Sequence, residues 1–419
     1  MISLTHLIAN PDLYKLDMQK RNKDFTVIDR IIQVNSMLKP VLIELENLRA
    51  SKNKFNETVL KLSGKEKINQ ISQMKIISGN IGELEQKARE LKELQENLIY
   101  QVPNLTWGGI PIGPDSGGNV VTKYYNKKPE FTFPVIPYYD LPLFKRDYLS
   151  QKGVQAAGFR GYYMVGNLAR LHNVVFRWTM DRLMEKGFEF VIPPIMVKED
   201  LLYGTGFFPD GKEDCFSAIN GEKELFLPGT SEAALMFLYS DTKLNLTEPK
   251  KLTAQTRCFR GEIGSYGKDT KGGFRVHEFE KIETVYLCRP NDTETVFDEM
   301  TDNFRETMDL LGLHYWALEV CSGDISVKNK RQIDIEAYFP GLQEYREVCS
   351  SSICTDYQTR NLNIKTVDEN GLETLAYSLN CTGMVGRVVL CILEQFQNAD
   401  GTVTIPTCLQ TMFGSDILD

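Results

Sequence analysis

The chain has 419 residues, of which 42% are apolar and 25% are charged, and its net charge is −8 at pH 7. This composition is typical of a globular protein, and the length favours two domains over a single core. The negative charge excludes general coating of nucleic acid as the main role, although it is compatible with a local basic surface. No stretch approaches about 18 uninterrupted apolar residues, so we expect no membrane span.

The N-terminus and the cysteines bear on the cellular compartment. The first residues, MISLTHLIANPDLYK, lack a basic region followed by an apolar core, so we expect no secretory leader, and they are poor in arginine for a transit peptide. The nine cysteines are scattered, and Cys349 and Cys354 do not have CxxC spacing, so we expect buried thiols and no structural zinc. We predict a cytoplasmic protein, with an organellar matrix as the open alternative.

From Val27 to Tyr100 the pattern predicts an antiparallel helical hairpin with a coiled-coil seam, interrupted at Ser63 and Gly64. Each helix would span about 50 Å at 1.5 Å per residue. Apolar residues recur at three- and four-residue steps: Leu38, Val41, Leu45, Leu48, Phe55, Val59 and Leu62, then Met74, Ile77, Ile81, Leu84, Ala88, Leu91 and Leu98.

The half of this hairpin around its turn is basic. Between Arg49 and Lys75 only two acids, Glu57 and Glu66, accompany seven basic residues, which are Arg49, Lys52, Lys54, Lys61, Lys65, Lys67 and Lys75. This charge is compatible with a solvated tip or a dimerisation rod. It is equally compatible with an arm that lies along an RNA backbone, where counterion release drives binding.

After the hairpin, the proline- and glycine-rich segment from Pro103 to Asp115 predicts a linker. An amphipathic helix is predicted from Asn167 to Lys186 and ends at Gly187. The following FEFVIPPIMV predicts a strand that is capped by Pro193 and Pro194. By itself this is an ordinary helix–strand unit.

Residues 258–283, CFRGEIGSYGKDTKGGFRVHEFEKIE, are the most informative segment of the chain. Alternating sequences on both sides of a polar turn predict two antiparallel strands. Such a pair would bring Arg260, Arg275, Phe279 and Glu283 near one surface. Arginines suit phosphates, an aromatic ring suits a base, and carboxylates suit an amine, a hydroxyl or Mg²⁺, so the set suits a nucleotide.

Two more segments strengthen this interpretation: LPGTSEAAL at 227–235, and residues 345–387, which begin with YREVCSSS and end with NCTGMVGR. Together with 258–283 they resemble the core motifs of class II aminoacyl-tRNA synthetases, and specifically those of the seryl-tRNA synthetases of bacterial and organellar type. The resemblance extends over essentially the whole chain.

The resemblance implies an α+β fold with two domains. Residues 1–110 would form a tRNA-binding domain that carries the helical arm (about 27–100), and residues 111–419 would form the catalytic domain around an antiparallel sheet. It also implies activation of L-serine by ATP and transfer of serine to tRNA(Ser). The helix–strand unit near Gly187 would form a homodimer interface, and Arg49, Lys52, Lys54 and Lys61 of the arm would contact tRNA.

For the nucleotide, the resemblance assigns ATP binding and catalysis to Arg260, Glu262 and Arg275, and ATP binding to Val276, Phe279, Glu347, Ser350 and Arg387. Arg260 would neutralise the α-phosphate and the substrate carboxylate, because its planar fork is a bidentate donor. Phe279 would stack on adenine, and Arg387 would lie on the other face of the base. Glu347 and Ser350 would bind Mg²⁺ between the phosphates.

For the amino acid, the resemblance assigns serine binding to Arg260, Thr230, Glu232, Glu283, Asn380 and Thr382. Glu283 and Thr382 would bind the side-chain hydroxyl, and Thr230 and Glu232 would bind the ammonium group. Buried polar partners reward a hydroxyl, because an analogue without it leaves them unpaired. Loop residues Lys268, Asp269 and Lys271 would order ATP and admit the acceptor end of the tRNA.

One departure from the family pattern concerns the last motif. Bacterial members of the family typically have NGSGLAVGR, whereas this chain has NCTGMVGR, which is one residue shorter and contains Cys381. On a helix, one residue corresponds to about 100° of rotation, so the position of Arg387 is in question. Two alternatives therefore stay open: a synthetase-like ligase that charges another acceptor, and an inactive RNA-binding dimer. Charging of tRNA(Sec) also stays open.

Overall fold

The computed structural model describes residues 1–58, 63–264, 267 and 269–419. The chain divides into two compact units, one from Ile2 to Pro103 and the other from Asn104 to Asp419 together with Met1. Over the described residues, no helix combines the length and the apolar content that crossing a membrane requires. All nine cysteines lie in the described part of the chain, and all are free thiols.

The N-terminal unit is helical. Its helices are α1 (Leu4–Ala9), α2 (Pro11–Lys20), α3 (Thr26–Thr58) and α4 (Gly64–Ile99). The predicted hairpin is confirmed, because α3 and α4 pack against each other along the expected seam. Seam residues near the base, such as Leu38, Leu45 and Leu91, are buried, whereas Phe55 and Met74 nearer the turn are only half-buried. Val59 and Leu62 lie outside the described residues.

The second unit combines helices with a large sheet. Its α-helices are α5 (Pro142–Asp147), α6 (Ser150–Ala157), α7 (Gly166–Glu185), α8 (Glu199–Thr205), α9 (Glu232–Phe237), α10 (Thr293–Leu310), α11 (Tyr357–Asn361), α12 (Gly386–Gln395) and α13 (Thr407–Phe413). Short 3-10 helices lie at Ser116–Gly118, Tyr138–Asp140 and Pro290–Asp292.

The strands are β1 (Val120–Tyr125), β2 (Glu189–Phe190), β3 (Phe216–Asn220), β4 (Lys223–Leu227), β5 (Lys250–Phe259), β6 (Glu278–Cys288), β7 (Tyr315–Glu319), β8 (Arg331–Phe339), β9 (Glu344–Thr355), β10 (Lys365–Val367), β11 (Glu373–Leu375), β12 (Tyr377–Val385), β13 (Val403–Thr404) and β14 (Ile417–Leu418). Eight of them form one sheet in the order β1-β7-β8-β9-β12-β6-β5-β2. Every neighbouring pair in it is antiparallel except β2 and β5, so the predicted α+β class is confirmed.

The two faces of this sheet have different roles. Because side chains alternate along a strand, Ile282, Leu379 and Cys381 join the main core with α7, α10 and α12. The opposite face carries the neighbouring positions of the same strands. There Val285 and Leu287 pack against residues of α9, and the rest of that face is available to polar side chains.

One sequence prediction differs from the structure. The strand expected for FEFVIPPIMV is confined to Glu189–Phe190, because Pro193 and Pro194 lack the N–H groups that a longer ladder requires. The proline- and glycine-rich segment after the hairpin is held in place by Asn104. The buried side-chain amide of Asn104 donates hydrogen bonds to the carbonyls of Lys328 (3.0 Å) and Cys354 (2.9 Å).

Candidate active site

One pocket at the end of β5 and β6 is lined by the eight residues that the resemblance assigned to ATP binding, namely Arg260, Glu262, Arg275, Val276, Phe279, Glu347, Ser350 and Arg387. The strands pair in antiparallel register from Lys250 opposite Leu287 to Phe259 opposite Glu278, as predicted. The pairing therefore brings residues on both sides of the polar turn to the same end of these two strands, although they are distant in sequence.

Strand alternation presents the amino-acid residues to the same face. Phe279, Lys281 and Glu283 are two residues apart on β6, so their side chains share one face. Thr382 on β12 lies opposite Glu283, and Asn380 is two residues away on the same strand. The predicted nucleotide and amino-acid groups are therefore neighbours on one side of the central sheet.

The loop between β5 and β6 is held by alternating charges. Arg275 donates to Glu262 at 2.5 Å and lies 3.5 Å from Asp269, which in turn accepts from Arg346 at 2.5 Å. Burial and these carboxylates act in opposite directions on Arg275, and the carboxylates prevail and raise its pKa. Arg346 was missed by sequence reasoning, although it precedes Glu347 in YREVCSSS. Lys268 lies outside the described residues.

Phe274 is packed between two arginines. The guanidinium carbon of Arg346 lies 4.2 Å from the ring centroid, and that of Arg387 lies 4.4 Å from it. Arg387 also donates hydrogen bonds to the carbonyls of Phe274 (3.2 Å) and Glu347 (3.1 Å). Burial lowers the pKa of Arg387 from its ordinary value, so the protein holds this charge at a cost in solvation.

The shortened last motif still delivers Arg387 to the pocket. The pairing of β12 with β6 slips by one residue between Thr382 and Met384, which makes Gly383 the extra residue of a β-bulge. A Cβ at Gly383 would come within 2.8 Å of the Ile282 side chain, so the bulge requires glycine. Helix α12 then begins at Gly386, with Arg387 in its first turn.

Arg260 and Phe279 are in contact at the mouth of the pocket. The guanidinium carbon of Arg260 lies 5.2 Å from the Phe279 ring centroid. The backbone of Arg260 is fixed by His277, since its N–H donates to the His277 carbonyl at 2.9 Å and its carbonyl lies 2.9 Å from Nδ1 of the same residue. The backbone is therefore anchored while the guanidinium faces the pocket.

The Glu347 and Ser350 pair depends on a second β-bulge. Residues three apart on a regular strand point to opposite faces. In β9, however, Cys349 lies opposite Ile335 and Glu347 lies opposite Glu336, so Val348 is an extra residue. This bulge brings Glu347 and Ser350 to the same face of the sheet, where both line the pocket.

Two further acids face this pair from β8, and sequence reasoning missed both. Asp334 lies opposite Ser350, and Glu336 lies opposite Glu347. Burial and the charge of Glu347 raise the pKa of Asp334 to about 8, and burial also raises the pKa of Glu336. The carboxylate of Glu347 and the hydroxyl of Ser350 are oxygen ligands of the kind that a hard divalent cation takes.

Glu283 lies at the centre of a buried polar cluster behind the ATP residues. Its side chain is only 1% exposed, and its Oε2 accepts a hydrogen bond from the Thr230 hydroxyl at 2.6 Å. Lys281 forms an ion pair with the same oxygen. Burial raises the pKa of Glu283 above its ordinary value, while Lys281 opposes that rise.

Glu232 is the second carboxylate of this cluster, and it has a cation of its own. Lys328 forms an ion pair with both carboxylate oxygens. Oε1 also accepts from the side-chain amides of Gln358 at 2.8 Å and Asn380 at 3.0 Å. Lys328 could not be found from sequence motifs, because it lies 96 residues from Glu232 and in none of them.

The residues predicted to contact tRNA lie on the helical hairpin. Arg49 forms an exposed ion pair with Glu85 at 2.6 Å, which joins the two helices of the arm. Lys54 is exposed and Lys52 is partly exposed on α3, whereas Lys61 lies outside the described residues. The described basic side chains are therefore at the surface of the hairpin, near its turn.

Two family models match the chain. Residues 1–106 match a seryl-tRNA synthetase N-terminal domain, and residues 216–396 match a tRNA synthetase class II core domain (G, H, P, S and T). The second match contains every residue assigned above to ATP or to serine, and the first contains the whole hairpin.

The chain is also similar to proteins along its full length. A serine–tRNA ligase from Symbiobacterium thermophilum is 33% identical over 98% of both chains. Another from Fervidobacterium nodosum is 32% identical over 100% of this chain and 99% of its own. The crystal structure of seryl-tRNA synthetase from Pyrococcus horikoshii complexed with ATP superposes with a TM-score of 0.89 at 30% identity, covering 100% of this chain and 99% of that one.

Proposed function

Because the chain belongs to the seryl-tRNA synthetase family of class II, we propose that it activates L-serine with ATP and transfers the serine to tRNA(Ser). The observation that carries this proposal is one pocket, to which β6, β9, α12 and the loop between β5 and β6 contribute the eight residues predicted to bind ATP. The buried cluster around Glu283 lies beside it. The seryl-tRNA synthetase complex with ATP among the structural relatives supports the same assignment.

In the activation step, a carboxylate oxygen of serine attacks the α-phosphorus of ATP. An O–P bond forms, the bond from the α-phosphorus to the bridging oxygen breaks, and pyrophosphate leaves with the electron pair. Arg260 would bind the α-phosphate and the serine carboxylate, which repel each other until a cation joins them. Arg275 and Arg387 would neutralise phosphate charge and support the base, beside Phe279.

Serine recognition would depend on the buried cluster. Both Thr230 and Lys281 contact Oε2 of Glu283, which leaves Oε1 to accept the serine hydroxyl. Thr382, opposite Glu283 on β12, would contact the same hydroxyl. Glu232 and Thr230 would bind the ammonium group, and Asn380 would orient Glu232 through its 3.0 Å hydrogen bond.

Glu347 and Ser350 would hold Mg²⁺ in the phosphate part of the pocket. When bound, the ion would supply positive charge to the ATP phosphates. The positions of Asp334 and Glu336 on β8, opposite Ser350 and Glu347, support this assignment, because they add carboxyl oxygens beside the proposed ligands.

In the transfer step, a terminal ribose hydroxyl of the tRNA attacks the acyl carbon of seryl-adenylate. An ester forms, the acyl–phosphate bond breaks, and AMP leaves. The ribose hydroxyl must lose a proton in this step, and His172, which lines the pocket, is already paired with Glu280 at 3.1 Å. A phosphate oxygen of the adenylate would take this proton.

The helical hairpin would bind tRNA. Its basic half lies around the turn, where Arg49, Lys52 and Lys54 present positive charge in an otherwise acidic protein. Positive charge that is concentrated in this way can neutralise the phosphates of an RNA backbone. The match of residues 1–106 to a seryl-tRNA synthetase N-terminal domain supports the assignment of residues 1–110 as a tRNA-binding domain and of 111–419 as the catalytic domain.

We also propose a homodimer in the cytoplasm. The short strand β2 is an edge strand, and apolar side chains beside it are exposed: Phe190 (45%), Ile192 (87%), Ile195 (41%) and Met196 (49%). An apolar patch on an unpaired sheet edge is typical of a surface that a partner covers. The two alternatives, a ligase with another acceptor and an inactive relative, receive no support from the full-length relatives.

The proposed reaction can be tested by pyrophosphate exchange. The purified protein should incorporate labelled pyrophosphate into ATP with serine and with none of the other standard amino acids. Glu283→Ala should lose this exchange, because the serine hydroxyl then lacks its buried acceptor. Charging of tRNA(Ser) should follow in the complete reaction. Exchange with a different amino acid, or no exchange by folded protein, would contradict the proposal.

A further inference from the structure

Two buried ion pairs distinguish the amino-acid half of the pocket from the ATP half. Lys281 pairs with Glu283, and their side chains are 12% and 1% exposed. Lys328 pairs with Glu232, and their side chains are 9% and 4% exposed. In the ATP half the carboxylates instead pair with arginines that line the pocket or its loop.

Each lysine is held close to one carboxylate. Lys281 is two residues from Glu283 on the same strand, so β6 itself fixes their separation. Lys328 comes from the loop before β8 and packs its ammonium 4.2 Å from the centroid of the Phe207 ring. Burying a lysine in this way costs solvation free energy. Buried ion pairs therefore add little to the stability of a fold, and stability alone does not account for these two lysines.

The two acids are linked through Thr230, whose hydroxyl donates to Oε2 of Glu283 at 2.6 Å and accepts from the backbone N–H of Glu232 at 3.3 Å. Glu232 raises the pKa of Glu283, after burial itself, and Lys281 is the largest opposing influence. Among the described residues, the other charged or titratable groups around Glu283 and Glu232 are Arg260, Cys258 and Cys354. Burial raises the pKa of Cys354 to about 12 and also raises that of Cys258, so both thiols stay neutral.

We propose that Lys281 and Lys328 are positioning residues: Lys281 keeps Glu283 ionised, and Lys328 pairs with Glu232 and so limits the charge that acts on Glu283. The pocket can then accept the hydroxyl and the ammonium group of serine. An ionised carboxylate only accepts hydrogen bonds, whereas a protonated one presents a donor as well. With both lysines present, Glu283 stays charged although Glu232 acts against its ionisation. The inference deepens the proposed function and rests on it.

Lys281→Met tests the first pair through the pH profile of kcat/KM for serine in pyrophosphate exchange. Removing the cation raises the pKa of Glu283, and the protonated carboxyl accepts the serine hydroxyl less strongly than the ionised carboxylate does. The acidic limb of the profile should therefore move to higher pH by about one unit or more, since a nearby opposite charge shifts a carboxylate by about 1–3 units. Activity should recover at higher pH, and KM for ATP should not change.

Lys328→Met should also move the acidic limb of the kcat/KM profile for serine to higher pH. Without Lys328, the charge of Glu232 is no longer compensated and raises the pKa of Glu283 further. Lys251→Met is the matched control. Lys251 lies on β5 outside the pocket and forms a partly buried ion pair with Glu299 at 2.5 Å. Its pH profile should coincide with that of the wild type.

A loss of kcat/KM that is uniform across pH, with the acidic limb unmoved, would overturn the proposal and leave the lysines as structural groups. Should the variants fail to fold, infrared titration of the wild type against Glu283→Gln tests the same point. At neutral pH the proposal requires no protonated carboxyl band from Glu283, and such a band would overturn it. Wild type without serine-dependent exchange would contradict the proposed function instead.

Discussion

At the scale of single residues, the pocket concentrates charge that burial makes costly. Arg387 is the clearest case, because burial lowers its pKa while the backbone carbonyls of Phe274 and Glu347 fix its direction. A group held in this way, before any ligand is bound, is preorganised for an anionic or aromatic partner. The same residue therefore costs the free protein solvation energy, and under the proposed function it would strengthen the complex with a nucleotide.

Arg387→Met should raise KM for ATP about tenfold, since a desolvated cation–π contact is worth about 1–2 kcal/mol. KM for serine should change little, and the melting temperature should hold or rise because a buried charge is removed. Initial rates of pyrophosphate exchange and a thermal melt measure these effects.

Arg305→Met is the matched control for that variant, because the Arg305 guanidinium lies 5.7 Å from the ring centroid of Tyr125, outside the pocket. It donates to the Tyr125 hydroxyl at 2.6 Å, so its removal should lower the melting temperature and leave KM for ATP unchanged. Equal KM values for Arg387→Met and the wild type would contradict the role of Arg387 in binding ATP.

At the scale of elements, two β-bulges determine the site. The one at Val348 brings Glu347 and Ser350 to a common face, and the one at Gly383 re-aims the chain before Arg387. Both lie on strands beside the pocket, where a regular pleat would direct one of the needed side chains into the core. The helical hairpin is the element proposed to bind tRNA, and its described basic side chains lie on the surface of α3 and α4.

Substituting Arg49, Lys52 and Lys54 together with alanine should separate the two half-reactions. Serine-dependent pyrophosphate exchange should be unchanged, because the residues that line the pocket all belong to the second unit. Charging of tRNA(Ser) should fall, and the slope of log affinity against log salt should decrease by about one for each phosphate that the protein no longer neutralises. Filter binding of tRNA over a series of salt concentrations measures that slope.

A matched triple variant on α4, with Lys87, Arg89 and Lys92 changed to alanine, removes the same charge at positions farther from the turn. It should retain most of the tRNA affinity. If both variants bind tRNA equally weakly, the binding surface is not concentrated near the turn. If the first variant fails in exchange as well, the hairpin affects more than tRNA binding.

At the scale of the whole molecule, the exposed apolar edge beside β2 is the surface that most favours a second copy of the chain. Ile192→Asp should dissociate the homodimer and raise its dissociation constant at least about 100-fold, because a carboxylate buried in an apolar interface without a cation costs about 3 kcal/mol or more. Light scattering on a size-exclusion column should then give the monomer mass.

Ile219→Asp is the control for surface charge, since Ile219 is 73% exposed on β3 and not on this edge. It should leave the mass of the wild type unchanged. A wild-type protein that is monomeric at all concentrations, or an Ile192→Asp variant that stays dimeric, would contradict the proposed interface.

The sequence by itself determined the elements and the residue types of the site. Periodicity predicted the hairpin and the β5–β6 pair, because 3.6- and 2-residue repeats are local properties of the chain. The alternation on both sides of the polar turn also predicted that Arg260, Arg275, Phe279 and Glu283 lie near one surface. The extent of the strand after Gly187 was wrong, because Pro193 and Pro194 prevent pairing over most of the predicted segment.

Only the tertiary structure decided which of these residues meet, and which further groups serve them. Asp334, Glu336, Arg346, Lys281 and Lys328 acquire their importance from neighbours across the sheet or far along the chain. A bulge of one residue changes the face to which a side chain points, and burial decides whether a charge needs a partner. Both depend on long-range pairing and exclusion of water, which no local pattern of residues encodes.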